Sequence, residues 1–278
     1  MKGHLFIVGL CLGLLIPSFV MAENVEHENI LKVHFGGSWR QDQYLTPLLY
    51  KGMMVGLGNE WWQPFNQDTK LGQAGKLTNW EHVGQLNLKF DWTYNPTRSN
   101  VIYGLHLDAG WGALYQWKFE PQKVQIILGP YLDVNTSVKY MVRNVNKPVS
   151  VDAFVGVEAM AGVSYAFKGK KTSYRLRYLI RADVIGVDFM PDYWQSYYEI
   201  SEKVSGKIRC AGMWNHRLLR HELTLDMQFP HSTWRVGIEH EYNEYGQKNM
   251  IFSTEQVSAI IGTCFHYKLN PKKDFTIF

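Results

Sequence analysis

The chain has 278 residues, of which 46% are hydrophobic, 14% aromatic and 19% charged. That apolar share excludes a disordered chain, and three Cys exclude a disulfide scaffold. The formal charge of +4 falls to +3 (28 basic against 25 acidic groups) when Lys2 leaves with residues 1–22, and so small an excess argues against a nucleic-acid partner.

Residues 1–22 read as a cleaved export signal. Met1 to His4 is a short basic start, Leu5 to Ile16 an apolar run, Pro17 a break, and Val20-Met21-Ala22 a peptidase site. Cys11 lies inside the apolar run and lacks the small residues that precede a lipidated Cys. Residues 23–278 read as a single domain. This stretch holds no apolar run long enough for a membrane helix. An exported chain of this kind is either soluble or a transmembrane barrel.

The remaining signal has a period of two, which is the period of a β-strand. Two early strands, 31–40 and 49–62, are irregular. From 79 to 94 the even face is apolar, from Trp80 through Leu86, Leu88 and Phe90 to Trp92 and Tyr94. Asn79, Glu81, Gln85, Lys89 and Asp91 lie opposite. Over 101–116 the odd face carries Tyr103, Leu105, Leu107, Trp111 and Tyr115, against His106, Asp108 and three Gly. The alternation returns in 123–143, in 151–167 (ending in Tyr165 and Phe167) and in 173–184. It is less clean in 219–229, where His221 interrupts the apolar side, then in 234–241 and 257–267.

Most of these runs exceed the five or six residues of an average soluble strand. A tilted membrane strand needs about 9–11 residues for the hydrocarbon alone. Trp80, Trp92, Tyr94, Tyr103, Trp111, Tyr115, Tyr165 and Phe167 flank aliphatic centres, as in the two aromatic girdles of a membrane barrel. The pattern therefore predicts an all-β fold: a transmembrane antiparallel up-and-down barrel of about ten strands, within a range of eight to twelve. Its partners would be the lipid bilayer of the outer membrane and, through a terminal Phe278, the barrel assembly machinery.

A ten-strand barrel leaves an interior little wider than a packed core. The faces opposite the apolar stripes place Glu158, Arg175, Arg177, Arg181, Asp183, Arg220, Glu222, Asp226, Arg235 and Glu239 inside as a charge ladder. Sequence adjacency puts the three Arg of 175–181 near Glu158 across one hairpin, and Glu222 and Asp226 near Arg235 across another. Two uses stay open: a salt-bridged plug, or a narrow hydrated path for small polar solutes in a porin-like protein.

The chemistry-bearing residues form no catalytic constellation. There is no Asp-x-Asp or Asp-x-His of the omptin kind and no Gly-x-Ser-x-Gly. His231 and Ser232 are adjacent and sit in a turn. His216, His221, His231 and His240 lack the spacing of a zinc site. No cofactor is called for. Cys210 and Cys264 fall toward opposite ends of the barrel, too far apart to bridge.

Tyr44-Leu45-Thr46-Pro47-Leu48-Leu49-Tyr50-Lys51-Gly52 and Ser196-Tyr197-Tyr198-Glu199-Ile200 resemble segments of an uncharacterised family of outer-membrane β-barrel proteins from Bacteroidota-type Gram-negative bacteria. The resemblance covers nearly the whole exported chain. It implies barrel and location, and supplies no catalytic residues. The expectation is a non-enzymatic envelope or surface protein, or a narrow pore. An outer-membrane hydrolase of protease or phospholipase type, and a soluble periplasmic β-sandwich or lipocalin-like binding protein, are the alternatives.

Overall fold

Each alternating segment of the sequence is a strand. The computed structural model describes residues 26–65, 79–120, 123–170, 172–190, 208–229, 232–247 and 250–268. Residues 1–22, the Ser196–Ile200 segment and Phe278 lie outside these. The strands are β1 (Glu26–Asp42), β2 (Thr46–Pro64), β3 (Trp80–Tyr94), β4 (Val101–Phe119), β5 (Val124–Met141), β6 (Val149–Lys168), β7 (Ser173–Phe189), β8 (Ile208–Gly212), β9 (His216–Gln228), β10 (Thr233–Gln247) and β11 (Met250–Lys268).

All pairings are antiparallel, and β11 returns to β1, which closes the sheet and removes its edges. β8 and β9 lie end to end along one neighbour: Ile208–Gly212 pairs with the last residues of β7, and 219–228 with its first ten. The turn at 213–215 interrupts what is otherwise one strand, so the wall has ten strands, one of them in two pieces. Glu26 pairs with Lys268, which puts both described chain ends at one rim, the terminal end. The turn at 43–45 lies at the other, the distal end. Along one circuit of the wall, the register climbs from Glu28 to Arg40, about twelve residues, which corresponds to a strand tilt of about 35–45°.

The face rule of the sequence holds strand by strand. Leu57 (60% exposed), Ile261 (57%), Phe35 and Leu132 (both 55%) point outward, whereas Lys32, Arg40 and Arg235 on the other face are fully buried. One register shift changes the parity. Val184 has no partner on β6, so Val184 and Ile185 both face outward and the inward set moves from Asp183 to Asp188. This bulge is why the alternation breaks off at 184 although the strand runs to Phe189.

Candidate functional site

The interior is lined by two kinds of side chain. Near the distal end, Tyr44, Tyr50, Ile102, Met141, Phe154 and Phe252 belong to one buried apolar cluster. Toward the terminal end, Ile30, Trp62, Val83, Leu114, Ile127, Met160 and Cys264 belong to a second. Tyr44, Leu45 and Tyr50 come from the Tyr/Pro segment, and they are core residues of the distal cluster.

Charged side chains lie between and beside these clusters, and many of their ion pairs bridge strands that share no backbone hydrogen bond. Lys32 on β1 donates to Glu60 at 2.7 Å and to Glu222 of β9 at 3.1 Å. Lys89 on β3 meets Glu239 and, at 2.8 Å, Glu241 of β10. Arg220 on β9 donates to Asp108 of β4 and, at 3.0 Å, to Glu241. Arg177 on β7 lies 3.5 Å from Glu60 of β2, five strands away in either direction, with its guanidinium over the Trp62 ring at 4.5 Å. Ion pairs thus tie walls together across the full width of the barrel. Buried charge of this kind persists only where it is paired.

The ladder residues are distributed differently from what sequence adjacency suggested. Arg181 does approach Glu158, at 3.9 Å, and also lies 3.9 Å from Asp108 and 4.0 Å from Asp133, stacked over Tyr131. Arg175 and Arg177 do not join Glu158. They reach across the lumen to Glu28, at 3.0 and 3.7 Å. Arg235 holds Asp226 through two hydrogen bonds and Glu60 at 2.8 Å, but Glu222 turns away to Lys32. Asp183 accepts from the Leu218 backbone N–H at 2.9 Å and lies 3.2 Å from His216. Glu239 pairs with Lys89.

The reason is geometric: in a narrow barrel a long side chain reaches the opposite wall as readily as its hairpin neighbour. The inward glycines make room for this. A Cβ on Gly104 would sit 2.5 Å from the Arg40 guanidinium nitrogens, so only Gly leaves space for the Arg40–Asp91 pair. Lys32, Arg40, Asp42 and Glu60 are likewise buried and ion-paired in the lumen, and they are absent from the ladder read from sequence because they sit on the two irregular N-terminal strands.

The aromatics fall in two bands on the outer wall. Trp92 pairs with Tyr103, and Tyr103 with Tyr140, toward the distal end, with Tyr94 beside them. Trp80 packs edge-on against Tyr115 at the terminal end, and Tyr165 stacks on Phe167, which stacks on Tyr174. Trp111 departs from the expectation: it sits inside the apolar stripe, opposite Gly84 and Leu132, and belongs to neither band.

At the terminal end a vestibule of about 360 Å³ is lined by Glu28, Trp62, Glu81, Lys118, Arg175 and Arg177, among others. Trp62 also lines the next space inward, bounded by Glu60, Met160, Leu179, Arg181, Arg220 and Glu222. That space is about 10 Å³, the volume of a single water probe. Cys210 and Cys264 are free, the former exposed and the latter buried in the lumen. Among the described residues no group of three or more His, Cys, Asp or Glu is arranged to hold a metal ion.

A family model described as a protein of unknown function, DUF3316, matches residues 14–272. No curated protein matches the chain. Among solved structures, the transport unit of the autotransporter AIDA-I from Escherichia coli is similar over 93% of this chain and 96% of that one, at 8% identity and a TM-score of 0.41. The translocator domain of the autotransporter NalP from Neisseria meningitidis is similar over 94% and 95%, at 9% identity and a TM-score of 0.35. Neither likeness assigns a role to any residue.

Proposed function

Starting from the premise that this chain belongs to the DUF3316 family, whose function is unknown, we propose that it is an integral outer-membrane barrel of a Gram-negative envelope, closed to solutes, which acts as a rigid non-enzymatic membrane-spanning scaffold. The apolar outer belt between two aromatic bands supports the bilayer as its medium. Export by the 1–22 leader and recognition of Phe278 by the assembly machinery belong to the same reading.

The observation that carries the closed lumen is the set of ion pairs spanning it, Lys32–Glu222, Arg220–Asp108 and Arg177–Glu60, around a space of about 10 Å³. A conducting path needs a continuous hydrated bore and sites weak enough to release what they bind. Here inward charges of opposite sign pair with one another across the barrel. The charge ladder is, in this reading, a plug and not a path.

The test is conductance in planar bilayers. The wild-type protein is expected to insert without discrete open-channel steps. Steady steps that change when Arg177 or Arg181 is replaced would restore the narrow-pore reading.

A further inference from the structure

The ionisable groups at mid-depth of the outer belt gather in one sector. His221 of β9 and His240 of β10 are directly paired in register, and their rings stack with centroids 5.9 Å apart. The Tyr178 hydroxyl and His221 Nδ1 are 2.7 Å apart, and His240 Nε2 lies 3.1 Å from Glu255 of β11. Toward the distal end, Arg217 bonds Glu244 at 3.2 Å. All of these side chains stand on the outward face, in line with Leu223, Ile238 and Val257.

Their depth is what matters. His240 is six residues along β10 from Trp234, which is level with the terminal aromatic band because Trp234 faces Met227 and Met227 faces Tyr174. At about 3.3 Å per residue and a tilt near 40° that is about 15 Å, the middle of a hydrocarbon layer about 30 Å thick. Lipid headgroups and water do not reach that level. Ionisable side chains at mid-membrane normally face protein or a hydrated cavity. Among the described residues, these bonds use one nitrogen of each ring and leave His221 Nε2 and His240 Nδ1 without a hydrogen bond. An unpaired polar group in hydrocarbon costs several kcal/mol.

We propose that this sector, centred on the His221–His240 pair, is the contact face for a second copy of the same chain, packed side by side in the membrane about a twofold axis. Self-complementarity favours a copy over a foreign partner. A neutral imidazole is both donor and acceptor, so a pair of rings satisfies its own image across the axis. Arg217, Glu244 and Glu255 place both signs of charge on the one patch, as an isologous interface requires. Ala182 and Ala259 flank the His pair, and small residues let two walls approach closely.

The inference rests on the membrane reading of the proposed function, and the test separates the two. Leu223→Cys, next to His221 on the outward face, is placed in a Cys210→Ser background, since Cys264 is buried in the lumen. The full chain is cross-linked with a thiol-specific reagent in its native membranes. A dimer band is expected, with none from Ile126→Cys on β5. In mild detergent the wild-type particle is expected to contain two chains, and His221→Leu with His240→Leu to halve that mass while retaining the heat-dependent gel mobility of a folded barrel.

A single-chain particle with no Leu223→Cys band, or a dimer unaffected by the double substitution, overturns the inference and leaves the membrane barrel standing. A different protein captured one-to-one at Leu223→Cys also overturns it. Absence of the chain from the membrane fraction, with no heat-dependent mobility, overturns the membrane reading itself.

Discussion

The inner lining and the outer surface of this barrel are made by the same strands, residue by residue, yet each is impure in its own way. The interior combines cross-lumen ion pairs with two apolar clusters, whereas the exterior is mostly apolar, with a stacked pair of histidines in the His221–His240 sector. Alternation therefore tells which way a residue points, and the local volume or partner decides what it is. Ile30 and Met160 are apolar although they point inward, because the space beside Trp62 is filled by packing. His221 points outward because its parity demands it, despite its polarity.

The strongest break in this comparison is an unpaired charge inside. Arg235→Met leaves Glu28, Glu60 and Asp226 without their shared cation. The expected loss is about 3–5 kcal/mol, read as a lower urea midpoint for folding into phospholipid vesicles. A midpoint unchanged or raised would mean that the ionic interior is not held by pairing. Next comes a charge placed outside. Leu132→Arg, in the middle of the outward stripe, should lower stability in lipid by about 2–4 kcal/mol. A near-zero effect would indicate water at that face.

Smaller changes sharpen the same contrast. Ile30→Val trims a fully buried side chain of the terminal-end cluster and should destabilise by about 0.5–1.5 kcal/mol in the same assay. Arg217→Ala removes a pair with Glu244 in which the Arg is 62% exposed, and the monomer's folding midpoint should shift by less than about 1 kcal/mol. A larger shift would show that the outer pair is shielded within a single chain.

Much of the architecture was legible in the sequence, for a physical reason: a closed barrel has no edges or layers to confuse a period of two. β3 and β4 display the rule plainly because one face of each is almost wholly aliphatic or aromatic. β1 and β2 blur it, since Gly36, Gly37, Gly52, Gly56 and Gly58 carry no side chain to mark a face, and with them went Lys32, Arg40, Asp42 and Glu60. The partners of Arg175, Arg177 and Glu222 were illegible for another reason: they cross the lumen, and only the full register shows which walls face each other.

The His pair was within reach. Gln228 faces Thr233 in register, and counting seven residues back and seven forward brings His221 opposite His240. Treating each His by itself hid a relation that the hairpin dictates.

The central claim is which face of each strand meets hydrocarbon, and fluorescence on β4 measures it directly. Single cysteines replacing Leu105, Leu107 and Ala109, labelled with a small fluorophore in vesicles, should be quenched by brominated lipid and not by acrylamide. Cysteines at His106 and Asp108 should resist labelling until the barrel unfolds. Quenching of the odd positions by acrylamide alone, with the even positions open to reagent, would contradict the orientation and place the protein in water.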